Sequence, residues 1–404
     1  MPAAVVATGP VTRRRIRGMM AARIFATSMV VLAVGTAVLA ADLRVHTVEL
    51  HAKDNTTLKA TVYDPPRNGP GILLFHQCNR DRTTWDTLAR MLASSGFHVI
   101  AMDLRGFGES GGKRFDQSSF QEQQQLFNQT FPSDVDVLFD YFSALPGVQR
   151  NAIGAAGASC GVNQSIQLAR RHSEVKSLVL LSGGTDREGR RFLRSTPVPI
   201  LTSAAADDGT TLQVMQWLVG AALNPTNEFV RYDAGGHGTE MFSAHPELPG
   251  HIVRWFISTL RPSSRTPARL AKASRDTNEF WTALDEPDGI PRAEQMFRQA
   301  RAQGQLPRGF DEAIVNQLGY ERIAGNDNRG AIAIFKMNVE AFPSSANVYD
   351  SLADAYVANN QPDLAVQFAR RALELLDKDP SLTEARREAI RQSADQKLKA
   401  ATNK

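Results

Sequence analysis

Hydrophobic positions along this chain follow two rhythms that alternate. Compact apolar runs rich in Val, Ile, Leu and Ala occur at 44–50, 57–63, 72–75, 98–104, 152–156, 177–181, 200–204 and 229–233, and read as strands. Between most of them, at 84–93, 134–144, 162–171, 211–222 and 246–260, apolar residues recur at three- and four-residue intervals, the period of a helix with one buried face. Two strands come first with no helix between them, and from residue 72 onward strand and helix alternate. That order predicts the α/β class: a mostly parallel sheet with an antiparallel edge and helices on both faces. Residues 111–132, rich in Gln, Ser and Phe, follow neither rhythm and read as an excursion over the sheet's carboxyl edge, either a lid or a plain surface loop.

Around 261–275 the composition turns to Pro, Ser, Arg and Ala, which places a domain boundary there. The pattern divides the chain into an α/β domain at 41–261, a linker at 262–290 and an all-helical region at 291–404. The helical region repeats itself with a period of 34 residues: Leu318-Gly319 returns as Leu352-Ala353, Ala331 as Ala365, and Asn338 as Ala372. With Phe335 and Tyr356 as groove-filling residues and prolines at Pro343 and Pro380, it resembles tetratricopeptide repeats. That resemblance implies stacked helical hairpins, with 292–304 and 382–401 as caps, and leaves open a partner-binding surface or a plain helical appendage.

The N-terminus has a different character. A basic stretch ends at Arg23, residues 24–39 are almost free of polar groups, and Val38-Leu39-Ala40 fits small-residue cleavage before Ala41. Residues 1–40 therefore read as an export signal or, if uncleaved, a membrane anchor, which predicts a periplasmic or extracellular protein. This arm also explains the charge balance. The 404 residues carry 46 Lys and Arg against 42 Asp and Glu, and Arg13, Arg14, Arg15, Arg17 and Arg23 exceed the net +4 by themselves. Nucleic-acid binding is thus not indicated.

Candidate chemistry centres on Gly157-Ala158-Ser159-Cys160-Gly161, which follows the small-residue strand 152–156 and precedes a helical run. In a G-x-S-x-G elbow the serine sits on a tight strand-to-helix turn that exposes its hydroxyl, and the helix N-terminus favours an adjacent oxyanion. A serine needs a base, and the base needs an orienting acid. Asp207 and Asp208 follow the strand at 200–204, and His237 lies in Ala234-Gly235-Gly236-His237-Gly238 after the last strand. The order Ser159, Asp208, His237 matches elbow-type hydrolases, and all three fall beyond the carboxyl ends of separate strands, where open α/β sheets place ligands. Counting from Pro199 favours Asp208 over Asp207. The backbone N–H groups of Cys160 and of Cys78, in the turn after the strand at 72–75, are the expected oxyanion donors. His76 reads as a structural residue of that turn.

These motifs resemble the α/β-hydrolase family over about residues 44–260, particularly its dienelactone-hydrolase-like and esterase-like branches. Asp103-Leu104-Arg105-Gly106-Phe107-Gly108-Glu109-Ser110 is similar to the family's D-x-R-G-x-G-x-S structural turn. The resemblance implies an enzyme that cleaves an ester or related acyl bond of a small molecule, with thioester and amide as neighbouring options and an inactive partner-binding scaffold as the contrasting one. Two departures stand out. Gln77 occupies a place where many members have glycine, which would narrow the oxyanion pocket or add a side-chain donor. Dienelactone hydrolases use cysteine, whereas the glycine spacing here centres on Ser159. The two cysteines of the chain, Cys78 and Cys160, flank the expected oxyanion hole, where a disulfide and two small buried thiols are both open. No metal-ligand spacing and no phosphate-binding loop is present, so neither metal nor cofactor is expected.

Overall fold

Central strands buried on both faces cannot alternate in polarity, and those of this chain do not. In the computed structural model, which describes residues 43–222, 224–261, 275–380 and 382–402, Gly69–Phe75 and His98–Met102 are buried along their whole length. The signal or anchor read at residues 1–40 lies outside the described residues. Eight strands form one sheet: β1 (Arg44–His51), β2 (Thr57–Asp64), β3 (Gly69–Phe75), β4 (His98–Met102), β5 (Val148–Ala158), β6 (Val175–Leu181), β7 (Ile200–Ala205) and β8 (Glu228–Tyr232). Their spatial order is β1-β2-β4-β3-β5-β6-β7-β8. The β1–β2 and β2–β4 pairs are antiparallel and every later pair is parallel, as the strand-strand-then-alternating pattern requires. This is the α/β-hydrolase fold, followed by an all-helical region.

Helices cover both faces. On one lie α1 (Asp86–Ser94) and, later in the chain, the helix Glu247–Leu260, which bury Leu88, Leu92, Trp255 and Phe256 against the sheet. On the other, the helices Phe131–Ser143, Cys160–Arg171 and Thr211–Ala221 bury Leu138, Phe142, Ile166 and Met215. In chain order the helices after α1 are α2 (Phe120–Gln125), α3 (Phe131–Ser143), α4 (Cys160–Arg171), α5 (Arg187–Leu193), α6 (Thr211–Ala221), α7 (Met241–Ala244) and α8 (Glu247–Leu260). The stretch 111–132 is not an unstructured loop. It holds α2 and a wide π turn, Leu126–Thr130, that runs into α3, and Phe115, Phe127 and Phe131 pack edge-on or tilted against one another. The missed α5 is short and bears four charged residues in seven, which erases the apolar period.

The family-like turn after β4 is structural, as its sequence suggests. The buried Asp103 carboxylate accepts the backbone N–H groups of Arg82, at 2.7 Å, and Glu109, at 2.8 Å. Arg105 pairs with Asp134 and Asp54.

The helical region comprises α9 (Arg275–Asp285), α10 (Ile290–Ala302), α11 (Glu312–Ala324), α12 (Asn328–Ala341), α13 (Ala346–Ala358), α14 (Pro362–Leu376) and α15 (Glu384–Thr402). The period of 34 is realised as packed helix pairs: Ala331, Asn338, Ala365 and Ala372 are all buried where helices meet. A side chain at Gly319 would place its Cβ 2.4 Å from the Phe335 ring, so only glycine lets α11 and α12 approach this closely. Residues 275–285, read from composition as part of a linker, are instead the helix α9. Its Phe280, Trp281 and Leu284 share one apolar cluster with Leu193, Leu212, Met215 and Leu218 of the α/β part. At the centre of this seam Arg190 of α5, 3% exposed, bonds Asp285 of α9 and Glu321 of α11. Burial works against its charge, but the two carboxylates outweigh that and hold it protonated. Among the described residues no helix is long and apolar enough to cross a membrane.

Candidate active site

The elbow forms because β5 ends in small residues and α4 begins immediately. Ser159 takes φ 51°, ψ −112°, a left-handed conformation costly for a residue with a side chain. A Cβ on Gly157 would lie 2.0 Å from the Gly161 carbonyl oxygen, and one on Gly161 would lie 2.1 Å from that of Phe75, so both glycines are demanded by backbone contact. Cys160 is the first residue of α4, where a helix leaves its N–H without an intrahelical partner. The Cys78 N–H, in the turn after β3, makes no hydrogen bond among the described residues. A disulfide joins the two residues, with their Cα atoms 5.6 Å apart.

In the loop after β8, His237 Nδ1 lies 2.8 Å from both carboxylate oxygens of Asp208. Bonded this way, Nδ1 is the donor and the neutral ring presents Nε2 as its acceptor. Asp207 serves the backbone instead. It accepts the N–H groups of Gly235, at 3.1 Å, and Gly236, at 3.2 Å, and so pins the glycine loop that carries the histidine. These backbone donors hold its carboxyl below the ordinary range. Glu240 accepts the His237 N–H at 3.2 Å, and this bond, with Arg80 beside it, lowers its carboxyl as well.

Gln77 neither narrows the oxyanion pocket nor donates into it. Its fully buried side chain turns to the histidine loop: Oε1 accepts from Thr239 N at 2.8 Å and Thr239 Oγ1 at 3.0 Å, while Nε2 donates to the His237 carbonyl at 3.3 Å. The physical reason is Gly238, at φ 62°, whose missing side chain leaves the space that the amide fills. His76 is structural. Its Nε2 accepts the Leu104 N–H at 2.9 Å, which makes Nδ1 the donor to the Gln77 carbonyl, and burial pushes its pKa below the ordinary imidazole value.

Ser159 and His237 line the same cavity, of about 670 Å³. No hydrogen bond joins Ser159 Oγ to His237 among the described residues. The cavity's other walls come from segments that carry no motif. Phe127 and Asn128 belong to the π turn, Ser182 and Gly183 to the turn just after β6, and Gln317 and Glu321 to α11. Among the described residues, no cluster of three His, Cys, Asp or Glu could hold a metal ion.

The chain is similar in part to several known proteins. Residues 69–197 match the family described as serine aminopeptidase, S33. The uncharacterized protein YcjY of Escherichia coli (strain K12) is 31% identical over 133 residues, which are 31% of this chain and 40% of that relative's length. An esterase of Pyrococcus furiosus is similar over 54% of this chain and 92% of its own, at 15% identity and a TM-score of 0.45. A dienelactone hydrolase of Anabaena variabilis is similar over 54% and 99%, at 18% identity and a TM-score of 0.44. The α/β-hydrolase fold and the family match together support a hydrolase.

Proposed function

We propose that the chain is a serine hydrolase that cleaves an ester-type acyl bond. Ser159 Oγ attacks the carbonyl carbon while His237 Nε2 takes its proton, and Asp208 holds the ring and offsets its positive charge. The oxyanion is held by the N–H groups of Cys78 and Cys160. Collapse of the tetrahedral intermediate expels the alcohol, protonated by His237, and leaves an acyl-Ser159. Water activated by the same Nε2 then releases the acid. The observation that carries this reading is the bond from His237 Nδ1 to Asp208 on the wall of the cavity that also contains Ser159.

The family's description suggests peptide substrates as a second reading. An aminopeptidase needs a free carboxylate for the substrate's ammonium group, and the cavity's acids are already engaged. Asp186 caps α5 and bonds Gln167, Glu188 pairs with Arg191, and Glu321 pairs with Arg190. An acyl group without an ammonium therefore suits the cavity better. The period and small-residue placement of the helical pairs support a tetratricopeptide assignment. The N-terminal sequence supports export, and the Cys78–Cys160 disulfide favours an oxidising compartment. A fluorophosphonate probe tests the reaction class: the protein is expected to label, with labelling abolished in Ser159→Ala and strongly reduced in His237→Ala. A folded protein that stays unlabelled would refute the hydrolase.

A further inference from the structure

The catalytic cavity extends from Ser159 to the inner face of α11, so the helical region supplies one of its walls. That wall is fixed rather than loosely apposed. Glu321, on the same helix face as Gln317, is held by Arg190 at 2.6 Å, and Arg190 is held in turn by Asp285 at 2.8 Å. The Gln317 amide lies over the turn after β6: a Cβ on Gly184 would stand 3.3 Å from Gln317 Nε2, and one on the preceding Gly183 would stand 2.5 Å from the Ser159 carbonyl oxygen. Its contact with Glu321 Oε1 is 3.5 Å, at the limit of a hydrogen bond, which leaves the amide protons free for another acceptor.

A second, independent feature lies beneath it. Ser182 is completely buried, has φ 48° and lines the cavity, yet its hydroxyl has no hydrogen-bond partner among the described residues. Buried hydroxyls are normally satisfied, and one left open in a catalytic cavity is a donor awaiting an acceptor. Asn163, also on this wall, is already oriented by Thr185 and the Asp186 N–H. An alkyl chain filling this space would strand both donors, whereas a group with carbonyl or ether oxygens would satisfy them.

Resting on the hydrolase reading above, we infer that the non-reacting part of the substrate is polar and carries oxygen acceptors, and that Ser182 and Gln317 recognise them. The helical region thereby acts as a specificity wall of the catalytic cavity. Neither residue touches the reacting atoms; both act in recognition.

The test uses the full chain and matched ester pairs in which an amide replaces branched alkyl of the same shape. On the acyl side these are p-nitrophenyl N-acetylglycinate against p-nitrophenyl 4-methylpentanoate, corrected for spontaneous hydrolysis. On the alcohol side they are 2-acetamidoethyl acetate against 4-methylpentyl acetate. The wild-type kcat/KM ratio is expected to favour the polar member of at least one pair. Gln317→Leu and Ser182→Ala are each expected to lower that ratio about tenfold, mainly through KM, the amount one lost hydrogen bond accounts for. General damage to the fold lowers both members together and cancels in the ratio. Lys336→Leu, on the exposed face of α12, should leave the ratio as in wild type. Ratios that do not move in either variant, or a wild-type preference for alkyl in both pairs, overturn the inference while leaving fluorophosphonate labelling of Ser159 intact. Absence of both labelling and turnover instead overturns the hydrolase reading on which it rests.

Discussion

Removing the Cys78–Cys160 disulfide should weaken both stability and catalysis. The perturbation is the double variant Cys78→Ala, Cys160→Ala, which introduces no second hydroxyl beside Ser159. The bridge closes a loop with a sequence separation of 82 residues. Loop-closure entropy for that length gives about 4.5 kcal/mol near room temperature, and native disulfides typically contribute about 2 to 4 kcal/mol. A loss of about 2 to 4 kcal/mol in unfolding free energy is therefore expected in urea titrations followed by circular dichroism. The kinetic effect has a different origin. In the proposed mechanism both bridged residues supply an oxyanion donor, and the disulfide holds their Cα atoms 5.6 Å apart. Loss of one such donor lowers kcat about a hundredfold or more in comparable sites, so two loosened donors should lower it by about ten- to a hundredfold, with KM much less affected. Reduction of the wild type should reproduce both changes, and reoxidation should restore them. An unfolding free energy within about 0.5 kcal/mol of wild type, the range of an inconsequential substitution, together with unchanged kcat, would refute the reasoning.

The two aspartates should separate cleanly. Asp208→Asn, which disturbs the tautomer of His237, is expected to lower kcat about 10⁴-fold, while Asp207→Asn, which loosens only the glycine loop, should cost far less; comparable losses in steady-state ester hydrolysis would reverse the assignment. Arg190→Met takes one cation from the buried Asp285, which keeps Arg194, and the paired cation from the half-buried Glu321, and should destabilise by about 1.5 to 3 kcal/mol, read by chemical denaturation, with the loss shrinking in the double variant that also carries Glu321→Gln. Acidification should act through His76, whose folded pKa lies below its ordinary 6.5. The unfolded chain then binds the additional proton, so this stability is fully present above pH 6.5 and is lost as pH falls below it, with a slope approaching about 1.4 kcal/mol per pH unit. His76→Gln should start less stable and lack that part of the slope; identical slopes in pH-dependent denaturation would exclude the buried imidazole as the cause.

What was legible in the sequence is what depends on neighbours along the chain. The apolar rhythms located all eight strands, because strand and helix bury their faces with different periods, and the elbow showed itself because β5, Ser159 and α4 are contiguous. The choice of Asp208 also came from local counting. Gln77 illustrates the opposite case. Its place beside the oxyanion turn suggested a role in the pocket, but only the folded chain shows that Gly238, 161 positions away, opens a space for its amide against the histidine loop.

The helical region shows the same division. Its period of 34 residues was visible because repeated helix pairs need small residues at repeated positions, as at Ala331 and Ala365. Composition nevertheless placed a linker over α9, since charge and proline content say nothing about the apolar face that Phe280, Trp281 and Leu284 bury. The sequence determined by itself most of the elements, their order and the strand-to-helix elbow that carries Ser159. Tertiary structure alone decided that α11 walls the cavity holding Ser159 and that Arg190 fixes it there, because burial and ion pairing between segments some 130 residues apart leave no periodic trace in either.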